Sequence, residues 1–102
     1  MAPARRLTIL LSAHDVVGHR ALAAELLDAA RDAGLAGASL FEGVAGSGRS
    51  GRLHGTHLVR EDAPLALVMI DGPEAIAAYL ERVSALTGDC VVLLADVEAY
   101  RA

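Results

Sequence analysis

The residues of this chain that are best suited to chemistry lie in a glycine-rich segment between positions 43 and 55. The segment holds five of the ten glycines of the chain together with Arg49 and Arg52, and no acidic residue occurs from Gly43 to Arg60. Glycines leave their backbone amides accessible because they have no side chain. Such amides, together with two planar guanidinium groups, are suited to binding a phosphate or a carboxylate. We therefore predict a flexible loop that binds an anion or a partner protein. The alternative is a mobile connection that has no ligand.

Two strings in this segment match nucleotide-binding motifs. G-V-A-G-S-G-R-S, starting at Gly43, follows the phosphate-loop pattern G-x-x-x-x-G-K-[ST] except that Arg49 replaces the lysine. G-S-G-R-S-G, starting at Gly46, matches G-x-G-x-x-G. Both motifs need a helix whose N-terminus faces the phosphate, and the sequence after Gly51 favours extended chain instead. We expect neither motif to operate, and the amides near Gly46 and Gly48 stay as candidate donors to an anion.

The four histidines, His14, His19, His54 and His57, are the candidate metal ligands. His54 and His57 follow an H-x-x-H spacing, which on a strand places the two side chains on opposite faces. No cysteine or acidic residue completes a tetrahedral set by its spacing. We therefore expect structural or solvent-exposed histidines, with a metal site between subunits as the alternative.

The spacing of nucleophiles, bases and carboxylates gives no catalytic arrangement. No Ser-His-Asp set and no pair of carboxylates can be argued from it, so the chain is predicted not to be an enzyme. Asp71 precedes Gly72 and Pro73, a context that favours a helix cap over a catalytic carboxylate. Cys90 lies at the start of an apolar run, where we expect a buried, unreactive thiol.

Length and composition limit the class of protein. A chain of 102 residues predicts one domain, spanning 1–102, with one modest core. The net charge of −4 disfavours a nucleic-acid-binding surface, which needs a strongly basic face. The single cysteine fits a reducing compartment. The apolar run from Leu7 to Leu11 is too short for a signal peptide, and no apolar run reaches membrane-spanning length. We expect a soluble, cytoplasmic protein.

Hydrophobic periodicity and helix-end signals predict a chain in the order β-α-β-β-α-β. Helices are expected over 20–33, ended by Gly34, and from Pro73 to just before Gly88. Strands are expected over 5–12, 38–44, 65–70 and 90–94, with a short edge strand over 97–101. This order is that of the ferredoxin-like α+β fold, in which right-handed crossovers place both helices on one face of a four-stranded antiparallel sheet.

The predicted strands carry more apolar residues than one covered face requires. Residues 65–70 and 91–94 are apolar on both faces, and the run from Leu7 to Leu11 is interrupted only by Thr8. Two helices cover one face, so the other face would expose a large apolar surface. We therefore expect this open face to pack against other copies of the chain in a closed homo-oligomer.

The residues 34–46, G-L-A-G-A-S-L-F-E-G-V-A-G, resemble the signature of the PII-like family catalogued as domain of unknown function 190. That family shows a similar stretch, then a glycine-rich loop, then a short element such as Leu53-His54. Asp62-Ala63-Pro64 and the string D-V-E-A-Y from Asp96 to Tyr100 also agree, so the resemblance covers about residues 7–101. It implies a ferredoxin-like fold and a homotrimer.

In the wider superfamily of nitrogen regulatory protein PII and CutA, the loop between the second and third strands is the T-loop. It reports on ligands bound in clefts between subunits and contacts target proteins, often membrane transporters. The resemblance implies that residues 43–55 are this T-loop and that Thr87-Gly88-Asp89 is the phosphate-facing B-loop. The resemblance and the loop residues discussed above together give the expected set of ligand-binding residues. The set is Gly46, Gly48, Arg49, Arg52, His54, Gly88, Asp89 and Arg101.

Departures from that family pattern shape the functional hypotheses. Cys90 and Val91 stand where classical PII proteins place a lysine after the B-loop. The 43–55 loop has no tyrosine, which leaves Ser47 and Ser50 as its modifiable side chains. The first hypothesis is a trimeric signalling protein that senses a small anionic ligand, with an adenine nucleotide as the candidate. The alternative is a CutA-like metal-binding trimer. A hydrolase of the acylphosphatase type shares the fold but needs an asparagine, and this chain has none.

Overall fold

A computed structural model of the chain describes residues 2–44, 46–47, 53–54 and 63–100. Its elements in chain order are β1 (Ala2–Ser12), β2 (Val16–Val17), β3 (Arg20–Ala21), α1 (Leu22–Asp32), β4 (Ala38–Glu42), β5 (Gly46–Ser47), β6 (Leu53–His54), β7 (Pro64–Asp71), α2 (Pro73–Val83) and β8 (Val91–Ala99). None of the helices in these ranges combines the length and the apolar character needed to cross a bilayer.

The four long strands form one antiparallel sheet in the order β4-β7-β1-β8. The central strands β1 and β7 are neighbours in space although α1 and β4 separate them in the chain. This exchange of order is the one that right-handed crossovers produce in the ferredoxin-like fold. The predicted α+β class, with two helices on one face of a four-stranded sheet, is therefore confirmed.

The core lies between the two helices and the two central strands. Alternate side chains of a strand point to the same face. The strand residues that face the helices and are buried are Leu7, Ile9 and Leu11 of β1 and Leu65, Leu67 and Met69 of β7. The helices contribute their apolar stripes to the same cluster. Its largest members are Leu7, Ile9, Leu26, Leu67, Met69, Ile76, Tyr79 and Val83.

The two helix-end signals read from the sequence have different outcomes. Gly34 follows α1 as predicted, with a φ of 74° in the left-handed region that favours glycine. The prediction that Asp71 caps α2 is wrong, because Gly72 is the N-cap residue and no side chain caps this helix. The Asp71 carboxylate instead accepts hydrogen bonds from the backbone amides of Gly72 at 2.7 Å and of Ala36 at 2.8 Å. It thereby joins the end of β7 to the connection between α1 and β4.

Other boundaries differ from the predicted ones. The segment 14–19, expected as a plain connection, contributes to a small hairpin of β2 and β3, and β4 ends at Glu42 rather than at residue 44. The helix α2 ends at Val83, well before Gly88. A single strand, β8, replaces the two expected over 90–94 and 97–101, because it pairs continuously with β1. Cys90 precedes that strand and is half-buried rather than buried.

Tyr79 gives the core a titratable group, and its effect on stability can be measured. Its side chain is 0% exposed, and its hydroxyl donates a hydrogen bond to the Leu26 carbonyl oxygen at 2.8 Å. Burial raises the pKa of Tyr79 from 10.0 to about 12. The fold therefore favours the neutral phenol, so this stabilisation is complete below pH 10 and is lost as the pH rises towards about 12.

We expect the free energy of unfolding to fall by about 1.4 kcal/mol per pH unit across that range. The chain has no lysine, so few other groups titrate there. Chemical denaturation of wild type, Tyr79→Phe and the exposed-site control Tyr100→Phe, at steps from pH 9 to 12, measures the effect. The slope should vanish in Tyr79→Phe and persist in Tyr100→Phe, and a slope that persists in both variants contradicts the assignment.

The face of the sheet that the helices leave uncovered is apolar and exposed. Its exposed large side chains are Leu10, Phe41, Ile70, Val91 and Leu93. The outer strands are also poorly covered on the helix side: Leu40 and Leu94, in register with the core residues Leu67 and Leu7, are 40% and 46% exposed. The apolar excess predicted from the sequence is therefore confirmed as exposed surface.

Candidate functional site

One end of the sheet gathers the segments that the sequence singles out. There β1 ends at Ser12 and β4 at Glu42, whereas β7 begins at Pro64 and β8 at Val91. The glycine-rich segment leaves β4 at this end, and the turn over 87–90 enters β8 at the same end. We call it the loop end of the sheet.

Gly43 fixes the base of the glycine-rich loop against Pro64. Its backbone amide donates a hydrogen bond to the Pro64 carbonyl oxygen at 2.8 Å. A Cβ atom placed on residue 43 would lie 2.8 Å from Cγ of Pro64, well inside van der Waals contact. The proline ring fixes its own backbone φ and has little freedom to withdraw. Position 43 therefore favours glycine because of this close approach.

Beyond Gly43 the loop continues as a short antiparallel ladder. Gly46 is directly opposite His54, and Ser47 is opposite Leu53. Two residues of the predicted site thus face each other through their backbones, and Gly46 leads into a strand. This agrees with the expectation that neither nucleotide-binding string opens a helix. The predicted site residues Gly48, Arg49 and Arg52 lie outside the described residues.

The turn that carries Gly88 and Asp89 closes through its backbone. The amide of Cys90 donates to the Thr87 carbonyl oxygen at 3.0 Å, and the Thr87 hydroxyl donates to the carbonyl oxygen of Val83 at 3.3 Å. Gly88 and Asp89 are exposed between these two ends. The turn therefore lies exposed at the loop end of the sheet.

The loop base and this turn do not meet within one chain. They belong to β4 and β8, the two outer strands of the sheet. Three interstrand spacings of about 4.8 Å lie between these strands, so they are roughly 14 Å apart. Arg101 lies outside the described residues, and the strand before it runs from the loop end to the opposite end, where Ala99 is in register with Ala2. A shallow groove at that opposite end is lined by Ala2, Pro3, Asp96, Val97 and Glu98. It contains no residue of the predicted site.

The histidines do not form a metal centre in the part of the chain that the structure describes. His14 is exposed in the turn after β1, and His19 is exposed at the tip of the β2–β3 hairpin. His54 pairs with Gly46 through the backbone, and His57 lies outside the described residues. Within the described ranges no three residues drawn from His, Cys, Asp and Glu are grouped so that they could hold a metal ion.

The β2–β3 hairpin is a feature of the loop end that the sequence prediction missed. Val17 pairs with Arg20, so Gly18 and His19 form a two-residue turn, and Gly18 has a φ of 61°. A Gly-X pair between short extended segments is the signal that identifies such a turn. Only two residues flank it on each side, which is too short for a pattern of alternation to show.

Arg20 attaches this hairpin to α1. Its guanidinium group lies 2.9 Å from the Glu25 carboxylate and 2.8 Å from that of Asp28. The hydrogen bond from Arg20 lowers the pKa of Asp28, and the same bond, with the nearby negative charges, raises the pKa of Arg20. All three side chains are at least partly exposed, so these pairs orient the hairpin but stabilise it little.

Comparison with protein families gives one match, which covers nearly the whole chain. The sequence model of the DUF190 family, described as "Uncharacterized ACR", matches residues 4–99. No protein with curated annotation matches the sequence. The family match includes both helices and all of the described strands except the first two residues of β1.

Comparison with solved structures identifies the same fold in proteins of low sequence identity. CPII from Thiomonas intermedia K12, described as a nitrogen regulatory PII-like protein bound to ADP, AMP and bicarbonate, has a TM-score of 0.72 at 22% identity, covering 97% of this chain and 90% of its own. A putative PII-like signaling protein from Thermus thermophilus gives 0.70 at 18%, covering 94% and 88%. CutA from Synechococcus elongatus PCC7942 gives 0.56 at 18%, covering 93% and 81%.

Proposed function

This chain belongs to the DUF190 family, and on that premise we propose that it is a trimeric signalling protein of the PII-like kind rather than an enzyme. In this proposal it senses a small anionic ligand, with an adenine nucleotide as the first candidate, in clefts between subunits. The loop over 43–55 transmits the signal to a target protein, for which a membrane transporter is one candidate.

The main support for the proposal is the position of the loop base and the 87–90 turn. The two lie at the same end of one sheet but on its opposite edges. The four strands alternate in direction, so the outer strands β4 and β8 are antiparallel to each other. When copies are arranged head to tail in a ring, β4 of one chain approaches β8 of the next. The loop base of one subunit then faces the turn of its neighbour, and each site is completed by a second copy.

The uncovered apolar surface supports the same assembly. Side chains such as Leu93, 51% exposed, and Phe41 lie on the sheet face that the helices leave free. A soluble monomer rarely exposes a contiguous apolar surface of this kind. Sheets that pack around a common axis would bury this face, and a closed ring leaves no apolar edge for further growth.

The nature of the ligand is proposed from chemistry and from the related folds. CPII is described as bound to ADP, AMP and bicarbonate, all of which are anions. Arg49 and Arg52 are suited to bidentate contacts with phosphate or carboxylate. Backbone amides near Gly46, Gly48 and Gly88 would add donors. Because Cys90 and Val91 replace the usual lysine after the turn, we assign the main charge contacts to the loop arginines.

Calorimetric titration of the full chain with ADP, AMP, ATP and bicarbonate tests this function. We expect saturable binding of at least one adenine nucleotide, and a loss of about 10-fold or more in affinity for Arg49→Ala and Arg52→Ala, since each would remove a charge-assisted contact worth about 1.5–3 kcal/mol. Arg82→Ala is the matched control, because Arg82 lies on α2 and pairs with Asp32 at 4.0 Å.

Several outcomes would contradict the proposal in different ways. If no anion in the series binds, or if the two loop variants bind as tightly as Arg82→Ala, the 43–55 loop is not the ligand-sensing element. If bound ATP is hydrolysed at a rate that depends on these arginines, the protein is an enzyme. Saturable zinc or copper binding that depends on His14, His19, His54 or His57 would instead support the CutA-like alternative.

A further inference from the structure

We propose that the base of the 43–55 loop and the β2–β3 hairpin form one coupled unit, so that the order of the hairpin follows the state of the loop base. The inference rests on the proposed function, in which this loop responds to a ligand. The connection is made by backbone hydrogen bonds through Ala63 and Pro64. It gives the protein a second surface element whose conformation depends on the same event.

The first part of the connection lies at the start of β7. The Ala63 carbonyl oxygen accepts a hydrogen bond from the Ala13 amide at 2.8 Å, and the Pro64 carbonyl oxygen accepts one from Gly43 at 2.8 Å. Carbonyl groups of successive strand residues point to opposite sides, so one short stretch of backbone holds β1 on one side and the loop base on the other. Ala63 is 0% exposed, and the ring of Pro64 fixes its φ. This stretch of backbone therefore links the two sides directly.

The second part joins Ala13 to the hairpin. The Asp15 amide donates to the Ser12 carbonyl oxygen at 3.0 Å, and the Ser12 amide donates to an Asp15 carboxylate oxygen at 2.9 Å. The Leu22 amide then donates to the Asp15 carbonyl oxygen at 2.9 Å, which closes the hairpin at its two feet. The turn over 12–15 thus connects Ala13, which is hydrogen-bonded to the buried Ala63, to Leu22, the first residue of α1.

The hairpin has few other constraints of comparable strength among the described residues. Beyond its feet, Arg20 holds it to α1 through partly exposed ion pairs, which contribute little to stability in water. Val16 is 65% exposed and His19 is exposed, so the tip does not pack into the core. The backbone bonds at its feet therefore contribute to the order of the hairpin.

Amide hydrogen exchange of the full chain, read residue by residue by NMR, tests this coupling. Gly43→Ala forces residue 43 away from Pro64 and lengthens the bond between them. We expect the amides of Ala13 and Leu22 to exchange about 5-fold faster, the factor that corresponds to losing roughly one hydrogen bond. Gly72→Ala is the control, because Gly72 has a φ of −58° and no neighbour within 4 Å of an added Cβ.

The reverse experiment starts from the hairpin side. Coupling free energies are reciprocal, so Asp15→Ala, which removes the bond to the Ser12 amide, should accelerate exchange of the Gly43 amide by a similar factor. Unchanged exchange at Leu22 in Gly43→Ala, with residue 43 itself accelerated, overturns the coupling. Unchanged exchange at Gly43 in Asp15→Ala, with Leu22 accelerated, overturns it as well, and this second variant decides the question if Gly43→Ala does not fold.

Addition of ADP to the wild-type protein separates this inference from the proposed function. Slower exchange at both Gly43 and Leu22 supports both proposals. Protection of Gly43 without Leu22 overturns the coupling and leaves nucleotide sensing intact. Protection of neither shows that ADP does not act on the loop base, which contradicts the proposed sensing by this loop, and the two variants then decide the coupling alone.

Discussion

Replacement of Leu93 by glutamate is expected to convert the assembled protein into single chains of 10.5 kDa, an approximately threefold fall in mass by size-exclusion chromatography with light scattering. Leu93 is in register with Thr8 and lies on the outer strand β8, on the uncovered sheet face. A carboxylate buried there would lose its hydration without a partner, at a cost of several kcal/mol per chain. Copies related by a rotation axis would also bring like charges together.

Val16→Glu is the matched control for this experiment. Val16 is 65% exposed, more than Leu93, but it lies on the hairpin and not on the sheet face. It should leave the mass unchanged, so that a general effect of added charge is distinguished from loss of an interface. A Leu93→Glu protein that keeps the mass of wild type would place the assembly surface elsewhere.

The same variant links assembly to ligand binding. Because the loop base and the 87–90 turn are about 14 Å apart in one chain, a monomer has only half of each proposed site. We therefore expect Leu93→Glu to lose nucleotide binding although it changes none of the residues assigned to the ligand. Full binding by the monomer would show that the site is complete within one subunit.

The parts of the fold that depend on local periodicity can be predicted from the sequence. The alternation that buries Leu7 and Ile9 on one face, together with the apolar residues of the other face, indicates both the sheet and its uncovered surface. Gly34 marks the end of α1 because a φ of 74° is a local property of one residue. Such features are readable because each depends on a few neighbouring side chains.

Features that depend on contacts between distant segments cannot be predicted in this way. The local pattern favours Asp71 as the cap of α2, but its carboxylate accepts a bond from Ala36, 35 positions away. The approach of Gly43 to Pro64 depends likewise on strand register rather than on spacing. The same holds for the site, because its two proposed halves are related only through the strand order and a second copy.

The contact between Gly43 and Pro64 leads to the second large effect. Gly43→Ala should lower the free energy of unfolding by about 1–3 kcal/mol, the usual cost of forcing an extra carbon into a packed site. The clash is with a proline ring atom only 2.8 Å from the added Cβ, and neither the ring nor the buried backbone beside it yields easily. Urea denaturation at pH 7 measures the change, and Gly72→Ala, which adds the same methyl group in open space, should cost less.

A double-mutant cycle with Pro64→Ala identifies the cause. Pro64→Ala removes the Cγ atom that the new methyl group meets, and by itself should cost about 1 kcal/mol or less through greater freedom of the unfolded chain. If the clash is the cause, Gly43→Ala in the Pro64→Ala background should cost little, so the two single effects should fail to add by about 1–2 kcal/mol. Additive effects would mean that the cost of the added methyl group does not come from the proline ring. The proline would then have no special part in holding the loop base. A non-additive cycle would also show that residue 43 and Pro64, which form the first link of the proposed coupling, interact energetically in the folded protein.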